Sequence, residues 1–570
     1  AEQAAGIRLV IAESFERIYR QNADNLGLHT STDLGLVARI RRGEVITLDE
    51  LLAGRDPLSA AILRAGGLLA YGAQVLAGAR PAPVAVAATS KPPQPQTLFE
   101  KILRRHRLAL RHEAGVPPAA DADDDWPAGA ARWVQPDLRF IHEYYTGMVA
   151  HMLDQRFGAT ALALHDPASI VCFEDHLSYV HQSPVHVGQG LVGEVVGLSR
   201  AHRAFAQRFG LKDHGYLQAL EAGDPGNTGS QGISHAMVAE QYALPGQFLI
   251  GTDSHTPHSG ALGCVALGVG STDMANAFVT GAARIAMAPV LRIEVTGCLP
   301  AGVSAKDLVL HLLAQPAIRA GAGVGKVFEF GGEAVRALNT DERATLTNMV
   351  AELGGLTGLV EPDAETVRFL RERRGVDFTL EAWMCSDRGA AYAEVITLDA
   401  SALSPMVARP GDPGRGVALS ELPAAERPSR VDIAYGGSCT AGKREDFDQV
   451  HAVLAWAAAR GLRVAAGTTL YLQFGTAAVR DHCIAQGYLH TFEAVGAQLL
   501  QPACGACANC GPGSSTAPEQ VTVSAINRNF PGRSGPGQVW LASPATVAAT
   551  AIAGRLVSFE ELHVAGLGPG

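Results

Sequence analysis

A multidomain α/β protein is the fold class this chain predicts, on three observations. Strand-like and helix-like stretches alternate late in the sequence: Val431-Asp-Ile-Ala-Tyr-Gly-Gly437 is an apolar run closed by glycines, residues 446–460 form an alanine-rich helical stretch, and 462–468 read as the next strand. Such alternation builds parallel sheets with helices on their faces. The chain has 570 residues, more than one core usually organises. Its composition, 47% hydrophobic and 18% charged, supplies several cores and is not that of a disordered chain.

From the N-terminus, Ile7–Ala12 reads as a short strand needing neighbours on both sides, and Phe15, Ile18 and Tyr19 follow near helical spacing. Gly43–Asp49 and Gly66-Gly67 suggest further short elements, closing a first unit at 1–79. Residues 80–96 are proline-rich and read as a semi-rigid linker. The Pro/Ala-rich acidic stretch 114–125 reads as a solvated loop, and Arg104-Arg105-His106-Arg107 as a solvated helix face. A second Gly/Pro-rich stretch at 409–416 helps to divide the remainder into units at 97–290, 291–425 and 426–570. Ligands of parallel sheets gather beyond the carboxyl ends of strands, where Cys439 falls.

Net charge of −10 and the scarcity of basic clusters argue against a nucleic-acid partner. Only six of the 46 basic residues are lysine, which reflects genome composition more than chemistry. Nine cysteines, most of them isolated, do not form a disulfide framework and point to a reducing, cytoplasmic setting. No apolar run approaches the roughly 18 residues that span a bilayer.

Three cysteines stand out: Cys439 in Gly-Gly-Ser-Cys-Thr, and Cys504 with Cys507 in Ala-Cys-Gly-Ala-Cys-Ala-Asn-Cys. Together they can hold three corners of an iron–sulfur cube and leave one iron open as a Lewis acid. Cys510 as a fourth ligand, a tetrahedral zinc site, and plain buried thiols are the competing readings. Histidine–carboxylate combinations occur at Asp175-His176 and Asp253-Ser254-His255, with Glu352 available to another imidazole. A carboxylate on one ring nitrogen orients a histidine and raises its basicity, which suits general acid work. Arg528 and Arg533 lie five apart in a Gly/Pro-containing loop, and a guanidinium fork matches a carboxylate. Asn348 and Glu352 are spaced i, i+4, which puts them on one helix face. A serine hydrolase is the weaker reading of Asp253-Ser254-His255, since no Gly-x-Ser-x-Gly elbow is present. The glycine-rich stretch 260–271 lacks a nucleotide fingerprint and reads as close backbone approach to the cluster pocket.

Taken in order, Glu174-Asp175-His176, Gly232-Ile-Ser-His235, Leu244 to Thr256, the three cysteines and Ile526-Asn-Arg-Asn-Phe-Pro-Gly-Arg533 resemble the aconitase and isopropylmalate dehydratase family, over about 96–562. The resemblance implies three α/β layers around a [4Fe-4S] cluster held by Cys439, Cys504 and Cys507. It implies His176 as the acid, with Asp175 behind it, and His235, Asp253, His255 and Glu352 in the same site. Ser254, Asn348, Arg528 and Arg533 would contact a small hydroxy-carboxylic acid. The reaction implied is dehydration and rehydration, first of the 3-isopropylmalate type. Aconitate, homoaconitate or methylmalate hydration, and a non-catalytic iron or redox sensor, are the alternatives. Residues 1–79 resemble the later part of the family's small swivel subunit. The Gly-Ser-Ser-Arg loop that carries the family's serine base occurs nowhere in the sequence, so an upstream swivel segment or a small subunit is the expected partner. Three further departures are Ala441-Gly442 after the first cluster cysteine, Tyr144-Tyr-Thr-Gly-Met148 where a family glutamine is expected, and the extra Cys510.

Overall fold

The structure is a computed structural model, and it describes residues 2–15, 17–85, 94–110, 126–158, 162–218, 222–224, 226 and 229–564. The acidic stretch 114–125 and residues 86–93 of the expected linker lie outside the described residues.

Two doubly wound sheets, one parallel throughout and one with an antiparallel edge, frame the molecule. The five-stranded sheet runs in the order Val265–Gly268, Phe248–Gly251, Leu138–His142, Ile170–Phe173, Lys212–His214, all parallel. The chain leaves the central strand Leu138–His142 in one direction and returns on the other side at Phe248–Gly251. That reversal opens a crevice beyond the strand ends. In the seven-stranded sheet the chain moves from Ile433–Gly436 through Thr469–Gln473 to Gln498–Leu500, then returns to Val521–Ser524 and Gln538–Ala542. A second crevice therefore opens between Ile433–Gly436 and Val521–Ser524. Both central strands are buried along their whole length, as apolar runs in parallel sheets should be.

Between them lies a four-stranded parallel sheet, in the order Thr357–Val360, Val327–Gly331, Val290–Thr296, Glu394–Asp399. It shares a core with the seven-stranded sheet through Leu291, Phe328, Phe330, Tyr435 and Leu541. The glycine-rich stretch joins this sheet to the five-stranded one. A Cβ on Gly260 would collide with the Gly358 carbonyl, so glycine is what lets the two backbones meet.

Several expectations change at this level. Strand pairing puts Met406–Ala408 and Gly416–Ala418 with the seven-stranded sheet, through Val407 opposite Ala542, although both fall before residue 426. The strand expected at 462–468 is instead Thr469–Gln473. The Val464 and Ala465 amides bond to Val495 and Ala551 in loop contacts, and Gly467, with φ of +86°, turns the chain before the ladder begins. Pro83–Ala85, inside the expected linker, is an edge strand of an antiparallel sheet with Arg107–Leu110, Ala131–Val134 and Ala283–Ala286. His106 ends its helix rather than lying on a solvated face, with Nδ1 on the Ile102 carbonyl and Nε2 on Asp137, both at 2.8 Å.

The first unit holds one parallel pair, Leu9–Ile11 with His29–Ser31, followed by short helices. Among the described residues Leu9–Ile11 has that single neighbour, not two. The unit docks through Asn25, whose amide reaches Asp273 at 2.8 Å and Thr272 at 3.3 Å. Arg284 approaches Asp24 at 3.5 Å across the same seam. Among the described residues no single helix is long and apolar enough to cross a membrane.

Candidate active site

The two crevices face one another, and each rim carries different chemistry. On the seven-stranded side, Ile433–Gly436 ends in a sharp turn that presents Cys439. Gly437 has φ of +140°, and a Cβ there would sit 2.5 Å from the Gln473 carbonyl. Ser438 follows at φ of +74°, a left-handed conformation uncommon for a residue with a side chain. Cys504 and Cys507 lie in the turn beyond Gln498–Leu500. All three are free thiols. Burial pushes the Cys439 thiol up to about 12, with Cys507 adding to the effect, and raises Cys504, with Asp175, Cys507 and Cys439 contributing.

Among the described residues the groups whose donor atoms could share a single ion are made of histidines and carboxylates. The thiol trio offers a different donor set, the soft thiolates that hold iron–sulfur clusters. Amides approach the sulfurs, with Asn527 Oδ1 3.4 Å from Cys507 Sγ and Asn348 and Asn527 each 3.8 Å from Cys439 Sγ, and the Arg533 guanidinium also reaches Cys507. Cys510 sits apart. Its Sγ contacts the Tyr144 hydroxyl at 2.9 Å and the Ala508 carbonyl at 3.2 Å, and it packs in an apolar cluster with Leu177, Val180 and Val195.

The five-stranded rim is a proton-handling surface. His176 Nδ1 lies 2.6 Å from Asp175 Oδ1. Burial alone would lower the imidazolium pKa, but the Asp175 carboxylate outweighs it and holds it up at about 9. Asp175 is held below the usual carboxylate range: burial opposes ionisation, while His176 and the Ser234 amide at 2.7 Å favour it. Glu143 fixes this turn by accepting the backbone amides of Asp175, His176 and Leu177 at 3.2, 2.7 and 2.9 Å.

Asp253 is a hub for four imidazoles. Its oxygens lie 3.4 Å from His235 Nε2, 3.4 Å from His255 Nδ1, 3.8 Å from His176 Nε2 and 3.7 Å from His142 Nε2. It also accepts the His255 amide at 2.8 Å. His142 stacks on His176 with centroids 4.3 Å apart; burial first, and the neighbouring His176 charge second, push it down to about 3. One ring is thus held neutral against another held charged.

Glu352 joins the two rims. Its Oε1 accepts from Arg528 Nε at 2.5 Å and lies 3.1 Å from His255 Nε2. Burial disfavours the Glu352 charge, but His255 and Arg528 hold its pKa down at about 2. The expected i, i+4 helix face does not exist here, because the helix Thr340–Asn348 ends before Glu352 and Gly354, with φ of +81°, turns the chain away. Both side chains still reach the site: Asn348 Oδ1 accepts from Thr440 Oγ1 at 2.9 Å. Arg528 Nη2 donates to Ser254 Oγ at 2.9 Å. Arg533 is half-buried beside Cys507, and its Nε has no hydrogen-bond partner. Asn348 and Glu352 thus arrive from the unit of the four-stranded sheet, and the other residues expected in the site lie along the two rims.

Sequence reasoning missed His142 and Glu143 as working parts, and it missed Asn527. Only the position of His142-Glu143 at the end of an apolar strand-like run could have signalled the first two. Asn527, between named neighbours, also lies 2.8 Å from His255 Nε2 and so touches both rims.

Fold and site define a multidomain α/β enzyme in which acid–base pairs at one sheet's switch point face a thiol trio at another's. The chain belongs to the aconitase family: the profile described as Aconitase family (aconitate hydratase) matches residues 121–554. It is similar to the 3-isopropylmalate dehydratase large subunit of Synechococcus sp. (strain JA-2-3B'a(2-13)), 34% identical over 505 residues, covering 82% of this chain and 99% of that one. The chloroplastic large subunit of Arabidopsis thaliana is 33% identical over 483 residues, covering 82% and 86%. Large subunit 1 of Pyrococcus furiosus is 37% identical over 337 residues, covering 59% and 76%.

Proposed function

We propose that this chain is the catalytic body of an iron–sulfur hydro-lyase of the 3-isopropylmalate dehydratase type. The observation that carries this reading is the meeting of the two rims: the Cys504 amide donates to the Asp175 carbonyl at 2.8 Å, so the thiol turn and the acid–base turn are built against each other. When bound, a [4Fe-4S] cluster on Cys439, Cys504 and Cys507 supplies a Lewis-acidic iron with an open position for a substrate hydroxyl and carboxylate.

The chain's own groups supply the rest. His176 carries its mobile proton at Nε2, because Asp175 occupies Nδ1, and delivers it to the departing hydroxyl. Asp253 gathers the imidazoles and keeps their ring planes in place. Arg528 gives its fork to a substrate carboxylate by exchanging it for the contacts it holds with Glu352 and Ser254, and Arg533 supplies a second guanidinium. His142, held neutral, keeps a second positive charge away from His176.

Removal of the carbon-bound proton needs a base. No Gly-Ser-Ser-Arg occurs in this sequence, and the relatives carry the name large subunit. We read the base as coming from a companion swivel segment or small subunit; residues 1–79 would be related to that module.

Anaerobic reconstitution tests the reading. A cluster spectrum that changes on adding isopropylmalate, with turnover when a small subunit is supplied, is the expected result. A cluster indifferent to every hydroxy acid, with no turnover beside a companion chain, would overturn it.

A further inference from the structure

Lys306 is 2% exposed, at the start of the helix Ala305–Ala314. Its ammonium donates to the Ile526 carbonyl at 2.7 Å and lies 3.3 Å from Met349 Sδ. Among the described residues no carboxylate comes within ion-pair distance of it. The contrast is Lys443, also buried, which pairs with Asp446 at 2.8 Å. A buried charge without a partner is expensive, and here burial pushes the lysine down to about 8. Glu352, which favours the cation, is already engaged by Arg528 and His255. What lies beyond the Ile526 carbonyl is the site itself: Asn527, with its Oδ1 3.4 Å from Cys507 Sγ.

The thiols explain the arrangement. As metal ligands the three are thiolates, which put negative charge into a low-dielectric pocket. We propose that Lys306 is a buried counter-charge of that trio, additional to Arg533 beside Cys507, and a positioning residue that pins the turn at 526–528 and offsets the charge on Cys439, Cys504 and Cys507 when their metal centre is bound. This rests on the cluster reading given above.

The Lys306→Gln variant keeps a donor for the Ile526 carbonyl and loses the charge. Its apoprotein should melt no lower than wild-type apoprotein, because an unpaired buried cation has been removed. Its reconstituted form should lose the cluster to a chelator about 10- to 100-fold faster, the usual scale for groups that support metal ligands. The cluster midpoint potential should move to more negative values, and Lys306→Arg should restore it. Equal retention and equal potential in Lys306→Gln would overturn the proposal. So would equal losses of melting temperature in the apo and reconstituted forms, which would mark a purely structural prop. A wild-type chain that takes up no cluster on reconstitution would overturn the cluster reading and this proposal together.

Discussion

The two rims of the site solve opposite problems with the same architecture. Both are the switch points of doubly wound sheets, and both begin from a wholly buried central strand. On the five-stranded rim, Asp175, Asp253 and Glu143 each meet an imidazole or a row of amides, and protons are already shared. On the seven-stranded rim the thiols have amide neighbours no nearer than 3.4 Å, and burial keeps Cys439 and Cys504 protonated. One rim is finished by its own side chains and the other by what it binds. Variants on the two rims should therefore fail differently.

The largest effect belongs to the thiols. Replacing Cys439, Cys504 or Cys507 by serine should abolish cluster uptake, read as loss of visible absorbance after reconstitution, whereas Cys510→Ser should retain it. A cluster that survives Cys439→Ser but not Cys510→Ser would erase the distinction between the rims. Next comes the acid. His176→Asn should leave the cluster spectrum intact and lower turnover by about 10²–10⁴-fold, the scale of a lost general acid. Arg528→Lys keeps charge without the fork, so KM should rise more than kcat falls; wild-type kinetics would assign Arg528 to the Glu352 and Ser254 contacts alone.

Protonation sharpens the comparison further. His176 must carry its proton to act as the acid, and its pKa of about 9 keeps it charged at neutrality. Dehydration should therefore hold through neutral pH and fall as pH rises through about 9. Asp175→Asn should move that limb down, since burial would then act unopposed by its first carboxylate. The same raised value makes His176 a stabilising group below the unfolded histidine range, near 6.5, and that contribution is lost as pH climbs through about 9. A rate profile flat to pH 10 in wild type would remove His176 from the acid role.

How much of this was readable in sequence follows from how local each device is. Asp175-His176 and Asp253-Ser254-His255 announce themselves because donor and acceptor are neighbours in the chain. Cys439 was legible because an apolar run closed by two glycines places it at a strand end. Glu143 was not, because its partners are backbone amides more than 30 positions away, and a lone glutamate after histidine carries no pattern. Asn348 and Glu352 were brought to the site for a different reason than the one spacing suggested, since a turn rather than a helix face delivers Glu352. The misplaced strand before Thr469 shows the limit of an apolar run: Leu462 and Val464 pack against the core from a loop, and only Thr469–Gln473 joins the ladder.

The smallest effect tests whether the rims are independent at all. Tyr144 belongs to the five-stranded side, where its ring lies 4.8 Å from His176 on the rim that His142 also packs, and its hydroxyl reaches Cys510 on the thiol turn at 2.9 Å. Tyr144→Phe keeps the ring and removes the cross-rim bond. A neutral buried hydrogen bond contributes about 0.5–1.5 kcal/mol, so a modest loss of stability is expected with cluster uptake unchanged. Cys510→Ala should cost a similar amount, and the double variant little more than either alone, because both remove one contact. Denaturant midpoints of the four proteins measure this directly. Fully additive losses would mean that the hydroxyl and the thiol stabilise their own rims separately, leaving the halves of the site to be joined through other contacts, among them the backbone bond from Cys504 to Asp175, the Asn527 bridge to His255 and the Arg528 bond to Ser254.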